Sequence, residues 1–239
     1  MPVPDPTTLL VLAKEPRAGH AKTRLAPAFT PHGAAALASA ALTDTLRAVL
    51  AAPARRRVLV LDGNPGPWLP APEDGGDRIE IVPQADGGLD ERLAAAFALC
   101  DGPALLVGMD TPQLTPALLA PPTGPDAWRG CDAYFGPAAD GGFWALGLAA
   151  PDPALLRGVP MSTATTGAVQ RARLVEAGLR VRDLPRLRDV DEPADAEAVA
   201  AQAPESLFAA EHARLRRLLG PPRTPTASHA RSAPGVGET

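Results

Sequence analysis

Apolar residues along the chain form short unbroken runs that alternate with longer amphipathic stretches. The short runs are rich in Leu, Val and Ile and indicate buried strands over residues 9–13, 57–62, 79–82 and 104–107. Between them, apolar residues recur every three or four positions, which predicts helices over residues 33–52 and 90–100. Strands and helices that alternate at short spacing are typical of βαβ units. The pattern therefore predicts an α/β fold with a mainly parallel central sheet.

The second half of the chain has a different pattern. Residues 131–148 predict two strands joined by a glycine-rich turn, and residues 181–184 predict a last strand. Further helices are expected over residues 168–177, 194–203 and 206–219. We predict a single domain over residues 1–219. Residues 220–239 contain almost no large apolar residue and are expected to form a disordered tail.

Composition narrows the class of protein. The 239 residues are 46% hydrophobic, which is enough for a substantial core, and the net charge of −4 argues against a general affinity for nucleic acid or anionic membranes. No unbroken apolar run approaches the roughly 20 residues of a membrane span, and the first residues lack the pattern of a signal peptide. Cys100 and Cys131 lack metal-site spacing and are too few for a disulfide framework. We therefore expect a cytoplasmic protein.

The loop after the first predicted strand concentrates positive charge. Lys14, Arg17, Lys22 and Arg24 surround Gly19, with a single acid among them. Several cations and an exposed glycine backbone suit a polyphosphate. Ligands of open α/β sheets also bind outside the carboxyl ends of the strands, where this loop is expected to lie. We predict a phosphate-binding loop, with a solvated basic turn as the alternative.

Carboxylates follow two other predicted strands. Asp110 comes soon after residues 104–107, and Asp189 and Asp191 come soon after residues 181–184. Two carboxylates on one side of an extended segment are costly without a cation, and carboxylates beside phosphates need a divalent ion between them. We predict that Asp110 binds Mg²⁺ or Mn²⁺, with the later pair as further candidate ligands. The alternative for all of them is a role in capping the helices that follow.

Two small segments predict an acceptor pocket. Gly141 and Gly142 leave Asp140 on an exposed turn with little bulk beside it, which suits the approach of a small acceptor molecule. A plain hairpin turn is the alternative. Ser162 and Thr163 precede a predicted helix, where their hydroxyls would form an N-terminal cap or an anion cradle.

Four separated motifs match one family in order and together span about residues 9–203. They are LAKEPRAGHAKTRL, GMDTPQL, GPAADGGFWALGL and RDVDEPADA. The chain resembles the glycosyltransferase-like family DUF2064. Through the lysine loop and the DVD segment it is also similar to the CofC/FbiD nucleotidyltransferases and to molybdopterin guanylyltransferases. The resemblance implies the GT-A fold of nucleotide-diphospho-sugar transferases, a Rossmann-like three-layer sandwich.

The resemblance also implies roles for individual residues. The residues implied to bind the nucleotide's phosphates are Gly19, Lys22 and Arg24. The aspartate implied to bind the metal is Asp110, and Asp189 or Asp191 would complete the metal site. The segment GGLDERL implies that Arg92 lies near the nucleotide or the acceptor, although Asp90 stands where the family usually has glycine.

Three functions are compatible with these residues. The first is nucleotidyl transfer from a nucleoside triphosphate to a small phosphorylated or hydroxylated acceptor, with Lys22 and Asp110 as catalytic residues. The second is glycosyl transfer from a nucleotide-diphospho-sugar, with Asp140 as the catalytic base. The third is nucleotide binding without turnover. We favour the first, because four cations in one loop exceed what a diphosphate usually requires.

Overall fold

The computed structural model describes residues 7–71 and 78–219, and the strands in this part of the chain form one sheet of seven. The strands are β1 (Thr8–Lys14), β2 (Arg56–Asp62), β3 (Glu80–Pro83), β4 (Ala104–Gly108), β5 (Ala133–Pro137), β6 (Phe143–Leu148) and β7 (Val181–Asp183). The α-helices are α1 (Ala26–Ala51), α2 (Leu89–Phe97), α3 (Pro116–Thr123), α4 (Thr166–Glu176), α5 (Pro193–Gln202) and α6 (Leu207–Leu219). Short 3-10 turns span Thr23–Leu25 and Pro153–Leu155. Every predicted strand and helix is therefore present, with shifted ends.

The order of strands in the sheet is β3-β2-β1-β4-β6-β5-β7. The pairs β1 with β2, β1 with β4, β2 with β3, and β5 with β7 are parallel, whereas β6 is antiparallel to both β4 and β5. The carboxyl ends of six strands and the amino end of β6 consequently meet at one edge of the sheet. The mainly parallel sheet predicted from the sequence is confirmed.

Successive residues of β1 contribute to the cores on the two faces of the sheet. Leu9 and Val11 are buried in a cluster that includes Leu46 of α1, and Leu10 is buried in a second cluster with Phe97 of α2. This alternation is the period-two pattern of a strand covered on both faces. The result is the three-layer sandwich that the resemblance implied.

A third apolar cluster holds α1, α5 and α6 together. Phe29 of α1, Val199 of α5 and Phe208 of α6 pack in it, and so does Val190 from the segment before α5. Val190 is only 2% exposed. The chain between Asp189 and Asp191 is therefore fixed to the core of the protein.

The helical stretch Thr23–Ala51 is long and apolar enough, by length and composition, to cross a membrane. Half of its most apolar window is buried inside the fold, as expected of a core helix. No membrane span was predicted for this stretch, because its hydropathy comes from many alanines and not from one unbroken apolar run. Thr30 has a φ of 63° and Pro31 follows it, so α1 is kinked there and its regular part begins near the predicted residue 33.

The predicted tail of residues 220–239 lies outside the described residues, as do residues 1–6 and 72–77. The assignment of residues 1–219 to a single domain stays a prediction.

Candidate functional site

A cavity of about 510 Å³ opens at the sheet edge where the strands end. The charged side chains that line it are Lys14, Arg92, Asp110, Asp140, Asp189 and Asp191. They come from β1, α2 and three loops that are distant in sequence. Apolar residues from β1, β4 and β6 also line it, among them Leu12, Leu106 and Phe143. An apolar cavity with a few convergent charged groups is the usual form of a small-molecule site.

Lys22 forms ion pairs with two of the predicted metal ligands, Asp110 and Asp191. Its Nζ lies 2.9 Å from Asp110 Oδ1 and 2.8 Å from Asp191 Oδ1. The Lys22 side chain is 11% exposed, whereas those of Asp110 and Asp191 are 40% and 41% exposed. Burial alone would lower the pKa of Lys22, but the two carboxylates outweigh burial and raise this pKa above its ordinary value. Lys22 is therefore a fixed, charged ammonium.

The backbone at Lys22 has an unusual conformation that aims this side chain. Its φ of 52° and ψ of 43° lie in the left-handed region, which costs about 1–2 kcal/mol for a residue with a side chain. The 3-10 turn Thr23–Leu25 follows directly, and Leu25 is fully buried in the cluster with α1. Packing of this turn keeps Lys22 in a conformation that the free chain would seldom adopt.

A backbone hydrogen bond brings the two acidic segments together. The amide of Val190 donates to the carbonyl of Asp110 at 3.0 Å. Because Val190 is also buried, the loop after β4 and the segment before α5 are tied at this point. Val190 therefore points into the core, while the aspartates on either side of it line the cavity.

The helix-cap alternative does not describe these aspartates. At the start of α3, the amide of Leu118 donates to Thr115 Oγ1 at 3.3 Å, so Thr115 caps that helix. At the start of α5, Glu192 and Asp195 form a capping box. The aspartates predicted as metal ligands are consequently available for another role.

Asp189 is the most perturbed acid of the site. Its Oδ1 is buried and has no hydrogen-bond partner among the described residues. Burial, followed by the charge of Asp140, raises the pKa of Asp189 to about 7. Asp110 acts in the same direction, and Lys22 opposes it. A buried carboxylate among other carboxylates indicates a site that a positively charged group would stabilise.

The acids of the site fit a divalent cation only in part. Among residues 7–71 and 78–219, no three His, Cys, Asp or Glu side chains are grouped as a ready metal site. Asp110 and Asp191 nevertheless converge, since each places its Oδ1 within 2.9 Å of the same ammonium. Mg²⁺ commonly takes one or two carboxylates and completes its shell with water and phosphate oxygens. The residues present fit a cation of this kind that binds together with phosphate.

The other members of the predicted phosphate-binding loop are dispersed. Lys14 lines the cavity, whereas Arg17, Gly19 and Arg24 do not. Arg24 is 73% exposed and lies 3.8 Å from Asp191 Oδ2. Gly19 has a φ of 78°, so the glycine serves the turn of the loop itself.

Arg92 lines the cavity from α2. Its position near a nucleotide or an acceptor stays a prediction. Its guanidinium donates to Asp62 Oδ2 at 2.8 Å and to Gln84 Oε1 at 3.1 Å. The Gln84 amide in turn donates to the carbonyl of Ala13 at 2.7 Å. Sequence analysis missed Asp62 and Gln84, although both directly end or follow a predicted strand, and that position was a usable signal. Asp90, the departure from the family pattern, lies in the first turn of α2.

The Asp140 turn is both a connection between strands and part of the cavity wall. Asp140 Oδ1 accepts a hydrogen bond from the amide of Gly142 at 2.8 Å, which is a local turn motif, and both residues line the cavity. Gly141 has a φ of 93°, and a side chain there would collide with the carbonyl of Ala164. The small size of Gly141 therefore serves the packing of the turn against the chain before α4.

Ser162 and Thr163 also line the cavity, in the segment before α4. The amide of Thr165 donates to Thr163 Oγ1 at 3.3 Å, and the amide of Gly167 donates to the carbonyl of Gly141 at 2.8 Å. The N-cap residue of α4 is Thr165, and its side chain makes no cap hydrogen bond. An anion cradle at Ser162 and Thr163 stays a prediction.

The comparisons with known proteins agree with this architecture. The sequence profile of DUF2064, "Uncharacterized protein conserved in bacteria", matches residues 45–163. No curated protein matches the chain. A solved structure described as a "putative nucleotide-diphospho-sugar transferase" from Desulfovibrio desulfuricans G20 is 24% identical, with a TM-score of 0.74 over 88% of this chain and 94% of that chain. This likeness shows the fold, which is the GT-A type that the resemblance implied.

Two further solved structures are more distant. The inositol-1-phosphate CTP transferase from T. maritima is 11% identical, with a TM-score of 0.47 over 84% of this chain and 96% of that chain. The manganese complex of Rv0371C from Mycobacterium tuberculosis H37Rv is 22% identical, with a TM-score of 0.44 over 82% of this chain and 98% of that chain. At these scores neither structure establishes a function for this chain.

Proposed function

The chain belongs to the DUF2064 family, and from that premise we propose that it is a metal-dependent transferase that binds a nucleotide and acts on a small acceptor. The observation that carries the proposal is the convergence of Lys22, Asp110 and Asp191 beside a cavity that cationic side chains also line. Polyphosphates are bound by such combinations of cations and metal-binding carboxylates. The solved structure from Desulfovibrio desulfuricans G20, described as a "putative nucleotide-diphospho-sugar transferase", supports the same class.

Nucleotidyl transfer is the chemistry we propose first. Lys14 and Arg92 line the cavity on the side of β1 and α2 and would bind phosphate oxygens. Asp110 and Asp191 would hold Mg²⁺ or Mn²⁺, which neutralises phosphate charge when it is bound. An acceptor oxygen would attack the α-phosphorus in line, and Lys22 would stabilise the charge of the departing pyrophosphate. Positioning and electrostatics account for most of this catalysis.

Glycosyl transfer from a nucleotide-diphospho-sugar is the second candidate, and a specific observation favours it. Lys14 lines the cavity, but the other cations of its loop do not, so the excess of positive charge that favoured a triphosphate is smaller than the sequence suggested. Asp140 is exposed on the rim beside Ser162 and Thr163. In this reaction its carboxylate would accept a proton from an acceptor hydroxyl.

The charges of the cavity favour a hydroxylated acceptor over a phosphorylated one. The cations among its described lining residues, Lys14 and Arg92, come from β1 and α2. The opposite side, formed by β6 and the chain before α4, presents Asp140 together with the hydroxyls of Ser162 and Thr163. A phosphate group there would face the Asp140 carboxylate, with no cation among the described lining residues on that side. We therefore propose a hydroxyl as the attacking group.

Incubation with each nucleoside triphosphate and with common nucleotide-diphospho-sugars, in the presence of Mg²⁺ and polyols, tests the proposal. Release of pyrophosphate supports nucleotidyl transfer, and release of a nucleoside diphosphate from the sugar donor supports glycosyl transfer. We expect Asp110→Asn to lower the rate by about 100-fold or more, because it weakens the hold on the cation. The matched control is Asp126→Asn, since Asp126 is 73% exposed and does not line the cavity.

The third possibility, nucleotide binding without turnover, has its own signature in the same experiment. It would give metal-dependent nucleotide binding in a thermal-shift assay and no product from any donor. If Asp110→Asn retained both turnover and metal-dependent binding, the assignment of Asp110 would be wrong.

A further inference from the structure

We propose that the Lys22 ammonium is the resident cation of this site and that it competes with divalent metal for Asp110 and Asp191. The metal then binds well only together with a polyphosphate that accepts the ammonium. The inference rests on the proposed function and deepens it, because it makes the metal–nucleotide complex, and not the free metal, the species that the site recognises.

The geometry of the three side chains is the first support. Lys22 Nζ contacts one oxygen of each carboxylate, at 2.9 Å for Asp110 and 2.8 Å for Asp191. The Oδ1 atoms that Asp110 and Asp191 would offer to a metal are thus occupied by the ammonium. An ammonium and a metal ion cannot both lie between them, because they would repel one another at that separation.

The position of Lys22 is built into the chain, which is the second support. Its backbone is held in the left-handed region, and its side chain is 11% exposed. The carbonyl of Lys22 accepts a hydrogen bond from the amide of the buried Leu25 at 2.9 Å. A metal that displaced the ammonium alone would leave a nearly buried positive charge without its partners, which is strongly unfavourable.

A polyphosphate removes this penalty. Lys14 and Arg92 line the cavity that Asp110 and Asp191 also line, so phosphate bound there would lie close to the displaced ammonium. Lys22 could then exchange its carboxylate partners for phosphate oxygens while the metal takes the carboxylates. The swap conserves the number of charge pairs, so metal and phosphate are expected to bind cooperatively.

The test is a Mn²⁺ titration without nucleotide, in which free Mn²⁺ is followed by electron paramagnetic resonance. We expect weak binding by the wild-type protein and at least about tenfold tighter binding by Lys22→Met, because Asp110 and Asp191 lose the ammonium that pairs with both of them. Lys22→Gly should behave in the same way, and it also relieves the positive φ, so a loss of folding in the Met variant would not obscure the result. Adding Asp110→Asn to either variant should abolish the gain.

Lys14→Met is the matched control, because it removes a cation that lines the cavity but forms no ion pair with Asp110 or Asp191 among the described contacts. Its effect on Mn²⁺ affinity should be clearly smaller than that of Lys22→Met. Equal or weaker Mn²⁺ binding by both Lys22 variants would overturn the inference. This titration uses no substrate, so it tests the inference even if the protein turns over none of the donors. If the wild-type protein turned over a donor but the Lys22 variants gained no Mn²⁺ affinity, the competition would be rejected and the proposed function would be kept.

Discussion

Gly141 shows how one missing side chain shapes the wall of the cavity. It has a φ of 93°, and an added Cβ would collide with the carbonyl of Ala164. We predict that Gly141→Ala destabilises the protein by about 3 kcal/mol, as the sum of the left-handed backbone and the overlap. Thermal unfolding measures this, with about 2–4 °C of Tm for each kcal/mol in a chain of this length.

Gly178 provides the control at the other end of α4. Its φ is 79°, and an added Cβ would meet nothing within 4 Å. Gly178→Ala should therefore cost only the backbone term, about 1 kcal/mol. Equal losses in the two variants would show that the contact with Ala164 contributes nothing to stability.

Single residues of the site were predictable where chemistry and position coincide in the sequence. Asp110 and Asp191 follow strands whose ends had to meet, so the sequence placed both at the correct edge. The ion pairs of Lys22 were not predictable. They depend on a left-handed backbone conformation at a residue that is not glycine, and on partners up to 169 positions away. Gln84 was missed because its hydrogen bonds go to the backbone carbonyls of Ala13 and Val60, although its position after a predicted strand was a usable signal.

At the scale of elements, the contact between α1 and α6 contains a buried histidine. His212 of α6 lies between the rings of Phe29 and Phe208, at centroid distances of 5.4 Å and 6.4 Å, and its Nε2 has no partner among the described residues. Burial, with a contribution from Arg216, lowers the pKa of His212, and Glu197 opposes the shift. Protonation of His212 therefore opposes the packing of α6.

The sign of the pH dependence follows from this lowered pKa. The unfolded chain takes up the proton near the ordinary value of about 6.5, before the folded chain does, so stability is complete above that pH and falls as the pH drops toward the folded pKa. We predict that His212→Phe reduces the loss of Tm between about pH 7.5 and about pH 5. His32→Gln, at an exposed position of α1, should leave that loss unchanged. An unaltered pH profile in the His212 variant would contradict the prediction.

Elements were more predictable than their arrangement. Runs such as residues 104–107 determine a strand locally, because unbroken apolar stretches of that length fit a sheet covered on both faces. The place of β6 in the sheet could not be deduced in the same way, since it depends on which partners the strand meets. A hairpin turn before β6 would pair it with β5, but no pattern in the chain indicates that β6 also pairs with β4.

At the scale of the whole molecule, the extent of the functional unit can be tested directly. The sequence predicts that residues 220–239 take no part in the site, and these residues lie outside the described ranges. We predict that a chain that ends at residue 219 keeps the Tm of the full chain to within about 2 °C, which corresponds to less than about 1 kcal/mol. Its Mn²⁺ and nucleotide affinities should also match. A clear loss of either would assign the last residues a role in the domain.

Because β6 is antiparallel, its amino end and the Asp140 turn before it lie at the edge that carries the cavity. This arrangement has a consequence for how such a protein can diversify. On the proposed assignment, the donor end of the cavity belongs to β1 and α2, and the acceptor end belongs to the Asp140 turn and the residues before α4. These stretches are separate in the chain, so substitutions in the later one can alter the choice of acceptor while the earlier one keeps its nucleotide. Divergent descendants of one ancestor can in this way inherit a common donor and acquire different products.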